Sequence, residues 1–270
     1  MTVALTDNAG TLHPFAGPAA RIVSLVPSLT DLLFAMGLGH QVVGRTRFCI
    51  HPSPDVDSVP VVGGTKSVDA GKIRSTGATH ILVNIDETPK PVADELMSHG
   101  LRVVVTHPNA VEDNLALYQL MAGLFGHQAE ADRLGQALDR ALGGIRKAAP
   151  QLSCRRVLYL IWQKPWMTVS RDTYIANVLG LVNWQTVGHD PAIRYPVIGE
   201  MSVTLQNTDL VLFSSEPFPF TEHHRTAFHR QFPRFPGQSA LIDAEMVSWY
   251  GSRAIPGITY LHHFAENRQP

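Results

Sequence analysis

The 270-residue sequence predicts an α/β fold of two lobes joined by one long helix. Three observations predict it. Short apolar runs bounded by turn residues alternate with helical patterns, as in parallel strands linked by helices. That alternation occurs twice, once on each side of mid-chain. Between the two series, residues 111–149 carry leucines, alanines, Met121 and Phe125 at three- and four-residue spacing, a stretch longer than an ordinary globular helix.

In chain order, Asp7–Gly10 form a turn between short alternating runs, which reads as a small leading hairpin. Residues 20–28 read as a strand ending at a proline. A helix follows, with Ser28 as its cap, Asp31 completing a capping box, and Gly37 and Gly39 at its end. Residues 41–48 are the next strand and 49–60 a proline-broken loop. Residues 69–78 suit a short helix and 79–85 a buried strand; 89–100 suit a helix with Pro89 or Pro91 near its start, and 101–108 another strand. The mid-chain stretch reads as one helix or two nearly continuous ones, with Gly123 and Gly126 as candidate bends. The second series repeats the first by pattern, 155–163 echoing 20–28, 205–215 echoing 75–85 and 238–245 echoing 101–108. The expected division is 1–110 for an N-terminal lobe with its hairpin, 111–149 for a rigid connecting helix, and 150–270 for a C-terminal lobe. Two Rossmann-like lobes so joined would set their strand-end loops face to face, with a ligand cleft between them.

The balance of 22 basic and 23 acidic residues predicts no strong attraction to nucleic acid or anionic membrane. Cys49 and Cys154 are the two cysteines, and their pairing stays open. The N-terminus lacks a basic segment followed by an apolar one, and no apolar run reaches the roughly 18 residues of a membrane span. On these grounds the cytoplasm is favoured over a periplasmic or other extracytoplasmic location, with removal of an export signal left open.

The sequence holds no phosphate-cradling glycine motif after a strand, no H-E-x-x-H and no G-x-S-x-G, so the expectation is a binding protein with no catalytic residues and no catalytic cofactor. Candidate ligand residues sit in strand-end loops. Phe48, Cys49 and His51 leave the second strand together; Cys49 and His51 are soft-metal ligand types, or a small buried side chain and a loop histidine. Thr65 follows Gly63 and Gly64, where backbone approaches a ligand or simply turns. Asp86 and Glu87 meet a ligand or open the next helix. Trp162 and Trp166 form an aromatic wall for a flat ligand, or plug a lobe core, while Ser170 and Asp172 read as helix caps. Glu216, Phe218 and Phe220 are placed to face a cleft, and His223 and His224 read as surface residues. In the dense run 248–253, Trp249 and Tyr250 are further candidates, and Arg253 suits a carboxylate, phosphate or propionate, or buttresses a neighbouring acid.

Segments 20–39, 59–73, 77–87 and 100–108 together resemble the first lobe of the vitamin B12 receptor type of substrate-binding protein. Segments 166–183, 194–213 and 248–253 resemble its second lobe, so the likeness runs from about residue 19 to 262. The wider group is the helical-backbone metal receptors, with the class III periplasmic binding protein fold. The resemblance implies a corrinoid, haem, ferric siderophore or metal ion as ligand, an ABC importer permease as recipient, and modest closure about the rigid helix. It also implies that aromatic groups of both lobes contact a corrin. Phe48 or Cys49 stands at one aromatic position of that branch, and Thr65 stands where a tryptophan is expected, leaving Trp162, Trp166 or the 248–253 run to supply another wall. Docking glutamates of transporter-bound members match Gly71, with Asp69 nearby, and Met201, beside Glu200; neither matched position is a glutamate.

The leading expectation is a monomer that binds a metal-containing small molecule, a cobalamin-like corrinoid, for ABC-type uptake or intracellular handling. An anionic siderophore would draw on Arg45, Arg47, Arg171, Arg194 and Arg253, and haem on an axial His51 or Tyr250. A metal-assisted hydrolase or corrinoid-processing enzyme would need grouped histidine and acidic ligands, and a structural adaptor an extended apolar patch.

Overall fold

The computed structural model describes residues 5–64, 67–187 and 192–268; Thr65 lies outside the described residues. The chain divides into two compact units. The first holds the chain through Pro108, Glu112–Leu138 and Tyr250–Arg253; the second holds Asn109–Val111, Asp139–Trp249 and Ala254 onward.

The first unit opens with the expected hairpin, β1 (Leu5–Thr6) against β2 (Leu12–His13). Asp7 closes it: one carboxylate oxygen accepts from Ala9 and Thr11 N–H, and the other lies 3.0 Å from His13 Nε2. Five parallel strands follow, β3 (Ile22–Ser24), β4 (Val42–Thr46), β5 (Val61–Gly63), β6 (His80–Asn84) and β7 (Arg102–Thr106), in the order β5-β4-β3-β6-β7. Between them run α1 (Pro27–Ala35), α2 (Ala70–Ser75) and α3 (Lys90–Ser98). Every residue of β6 is buried, which is why Ile81, Leu82 and Val83 follow one another without alternation. Val23, Leu25, Val62, Ile73, Ile81, Val83 and Leu96 form the core beside it.

Helix α1 does not use the predicted cap. Pro27 occupies its first turn, where a missing N–H is harmless and φ is preset, so Ser28 falls inside the helix. Asp31 accepts a 2.7 Å bond from Ser252 Oγ. Gly37 ends the helix as expected, at φ +76°. The mid-chain stretch is two helices, α4 (Asp113–Phe125) and α5 (Gln128–Ala148), broken where Gly126 and His127 take φ of +97° and +71°. Gly123 stays helical; a side chain there would collide with Leu5 of the hairpin. Helix α5 carries the chain from the first unit into the second.

The second unit has β8 (Arg155–Trp162), β9 (Met167–Thr168), β10 (Trp184–Thr186), β11 (Leu210–Ser214) and β12 (Gln238–Ile242). Four are parallel in the order β10-β8-β11-β12, and β9 folds back antiparallel on β8. The helices are α6 (Tyr174–Gly180), α7 (Met201–Gln206), α8 (Glu222–Gln231), α9 (Ala244–Ser248) and α10 (Ala254–Glu266). Thr173 caps α6, correcting the assignment to Ser170 or Asp172. Ser170 Oγ instead donates to the Ile193 carbonyl at 2.5 Å, and Asp172 pairs with Arg194 at 3.3 Å. Cys49 and Cys154 are both free thiols, one buried and one exposed.

Candidate ligand-binding edges

In each unit the parallel strands end on one edge, where loops carry side chains free of sheet packing. On the first unit this edge exposes Phe48 by 48%, Ile50 by 51% and Ile85 by 49%. The Arg47 guanidinium lies 4.9 Å over the Phe48 ring. Cys49 does not share the edge. It is wholly buried, its thiol 3.2 Å from Thr46 Oγ1, and burial pushes its pKa up, so it is a small core side chain and no soft ligand at the rim. His51 is half-buried.

Asp86 and Glu87 follow β6 and are half-buried. Asp86 N–H donates to buried Asn84 Oδ1 at 2.8 Å, and the Asp86 carboxylate is 3.6 Å from His107 Nε2. Glu87 accepts from the Tyr250 hydroxyl at 3.1 Å. Tyr250 is buried, and that burial, with the Glu87 charge second, holds its pKa well above the usual phenol value. The structure therefore joins Asp86, Glu87 and Tyr250 in one neighbourhood. Arg253 takes the buttressing role: its Nε lies 3.5 Å from Asp31, the acid that Ser252 also holds. This returning segment is pinned through Gly251, whose N–H donates to Asn114 Oδ1 at 2.5 Å and whose carbonyl accepts from the Tyr118 hydroxyl at 2.9 Å.

On the second unit Trp162 ends β8 with 40% of its surface exposed, edge-on to Phe218 at 5.5 Å. Trp166 is stacked on Phe220 at 6.1 Å and set edge-on to Phe228 at 5.8 Å, the core-plugging alternative. Glu216 accepts from Trp249 Nε1 at 2.5 Å, which fixes Trp249 as a buried brace. Burial raises the Glu216 pKa, with the Trp249 bond opposing it. Phe218 is half-buried beside Trp162 and Phe220. His224 caps α8, its Nδ1 accepting from Thr221 N–H at 3.1 Å, and His223 is exposed.

Sequence reasoning missed Ile193 and Val197, exposed by 50% and 55%. Their segment runs beside the β8–β9 hairpin, through Ser170 N–H to the Arg194 carbonyl and Ile198 N–H to the Trp166 carbonyl, each at 2.8 Å. This proline-interrupted segment shows neither a helical nor a strand period, so nothing in it singles out these two side chains. The grouped metal ligands an enzyme would need are not formed by the predicted residues. Among the described residues the one such group is His262, His263 and Glu266 on α10.

A family model described as "Periplasmic binding protein" matches residues 22–215, which span strands of both sheets. The chain belongs to the periplasmic binding protein family. Within it, it falls in the class III, helical-backbone metal receptor superfamily. The vitamin B12-binding protein of Pectobacterium carotovorum is 19% identical over 199 residues, 73% of this chain and 72% of that one. The solved periplasmic vitamin B12 binding protein of Vibrio cholerae superposes with a TM-score of 0.80 at 15% identity, covering 93% of this chain and 98% of the other. A periplasmic heme-binding protein from a Roseiflexus species superposes at 0.76 with 18% identity, covering 92% and 98%. At such identities the solved structures establish a shared fold. This periplasmic binding protein is a non-enzymatic ligand receptor. The expectation of a cytoplasmic location is overturned, because the family and its structural relatives are periplasmic; the lack of an apolar leader in the 270 residues was no evidence of residence.

Proposed function

We propose that this periplasmic binding protein receives a cobalamin-like corrinoid and passes it to an ABC importer. The observation that carries the reading is the apolar character of both carboxyl edges: Phe48, Ile50 and Ile85 on one unit, Trp162, Ile193 and Val197 on the other. Exposed apolar groups gathered at a loop edge mark a surface that a ligand covers. A corrin offers a broad apolar face to such an edge and a rim of amides for its acceptors, Asp86 and Glu87 on the first unit or Glu216 on the second. The sequence relatives named for vitamin B12 support the same ligand class.

Three of the five arginines an anionic siderophore would recruit are committed elsewhere. Arg45 donates to the Val59 and Cys49 carbonyls, Arg194 pairs with Asp172 and Asn109, and Arg253 faces Asp31. Tyr250 is a poor axial ligand for haem, because its buried hydroxyl is turned to Glu87. His51, half-buried and close in sequence to Phe48, keeps haem as the second reading.

For delivery, Asp69 and Glu200 supply exposed carboxylates at the N-caps of α2 and α7. Each helix leads into the strand beside the central one, β6 beside β3 and β11 beside β8. Met201 is buried and so unavailable to a permease arginine.

The test is a calorimetric and ultraviolet–visible titration with cobalamin, haem and a ferric siderophore. The expected result is one-to-one cobalamin binding, weakened in Phe48→Ala and Trp162→Ala. Tight binding of haem or the siderophore alone would reassign the ligand, and binding of none would overturn the receptor reading for all three.

A further inference from the structure

We propose that the second unit carries a separate site for a small phosphate-bearing anion, at the edge of its sheet remote from Glu216 and Phe218. Strands β11 and β12 are parallel and begin at Leu210 and Gln238. An open groove of about 640 Å³ lies at those beginnings, lined by Arg225, His229, Gln238, Ser239, Asn267 and Arg268 over Leu210 and Gly237. Glu216 and Phe218 follow the other ends of the strands, so this groove is distinct from the ligand edge.

The lining is rich in donors and holds no aspartate or glutamate. Arg225 gives Nε to Glu222 at 2.7 Å and Nη1 to the Ser239 carbonyl at 3.4 Å, which among the described residues leaves Nη2 for a ligand. Arg268 gives Nη1 to the Phe264 carbonyl at 3.1 Å and lies 3.6 Å over the Phe264 ring. Among the described residues it has no carboxylate partner, and burial pulls its pKa down. His229 Nε2 sits 2.6 Å from Ser239 Oγ. Behind the wall, Arg155 is buried; its Nη1 holds Gln238 Oε1 at 3.0 Å, and its Nη2 has no partner among the described residues. That bond occupies the acceptor of Gln238 and leaves its amide N–H₂ to donate.

Guanidinium groups recognise phosphate through paired, charge-assisted hydrogen bonds. Two of them exceed what the one carboxylate, Glu222, neutralises, which leaves net positive charge for a phosphate. The groove volume falls within the roughly 300–1,000 Å³ of small-molecule sites, so an organic phosphate fits better than the bare ion.

Inorganic pyrophosphate titrated into the intact chain, by calorimetry and with the His229 ring followed by NMR, tests the assignment. One-to-one binding is expected, with the His229 ring resonances displaced in the bound state. Arg225→Gln and Arg268→Gln should each weaken it about tenfold or more, the loss of one charge-assisted bond. Arg225→Lys should restore part of the affinity, and Arg225→Gln should leave cobalamin titration unchanged, which separates this site from the ligand edge. Absence of binding at millimolar pyrophosphate, or binding indifferent to Arg225→Gln, would overturn the proposal. Acetate bound as tightly as pyrophosphate would overturn the phosphate assignment.

Discussion

Trp162 and Trp166 are four positions apart and should fail in opposite ways when replaced by alanine. Trp162 has 40% of its surface exposed at the end of β8. A tryptophan presents up to about 250 Å² for burial, so about 100 Å² remains for a ligand to cover. At about 25 cal/mol per Å² this is worth at most about 2.5 kcal/mol, or about 70-fold in Kd. Trp166 is stacked on Phe220 and packed against Phe228, so its truncation opens the core and should lower unfolding free energy by about 2–4 kcal/mol. Cobalamin calorimetry and urea unfolding on both variants separate the two effects. Trp162→Ala should lose affinity and keep stability within about 1 kcal/mol; Trp166→Ala should lose stability. If Trp162→Ala binds like the parent, the edge is not the ligand surface. If Trp166→Ala unfolds like the parent, the stacked ring is not part of the core.

Glu216 has a raised pKa, so between its ordinary value of 4.5 and the folded value the native state holds the extra proton. Its contribution to stability is therefore greatest in acid and declines as pH rises through that window. Glu216→Gln keeps a carbonyl for Trp249 and should flatten the decline in urea melts across pH; an unchanged slope would contradict the assignment. His80 behaves oppositely. Burial first, then Arg102 and His13, lowers its pKa from 6.5 to about 4, so stability is full above pH 6.5 and drains as pH falls toward 4. His80→Gln should remove that part of the acid sensitivity, read from melting temperature against pH. Gly251→Ala forces a side chain at φ +78° and sets its Cβ 3.1 Å from Leu32 Cβ. The backbone strain and crowding together should destabilise the chain by about 2–4 kcal/mol, and a parental urea midpoint would refute the packing argument.

Much of the fold was legible because its signals are local. The buried strands β6 and β11 are built around unbroken apolar runs, and Gly37 and Gly126 sit where a helix must stop or break. Helix starts were less legible. Pro27 and Ser28, or Ser170, Asp172 and Thr173, all qualify as openings by type, and the surroundings choose between them. Strand β10 is three residues long and too short to show a period. The N-terminal residues misled as a guide to location, which the family match decides.

For the site, residue types in strand-end loops were visible from the chain alone, but their roles were not. Cys49 and Phe48 are neighbours in sequence, yet one is wholly buried and the other 48% exposed. Glu87 and Tyr250 meet across a separation of 163 positions, and Asp31 and Ser252 across 221. Ile193 and Val197 owe their exposure to the hairpin they lie beside. Periodicity and turn chemistry are written in neighbouring residues, so the sequence carries them whole. Burial, pairing and exposure depend on what packs against a side chain, and those partners come together only when distant segments fold.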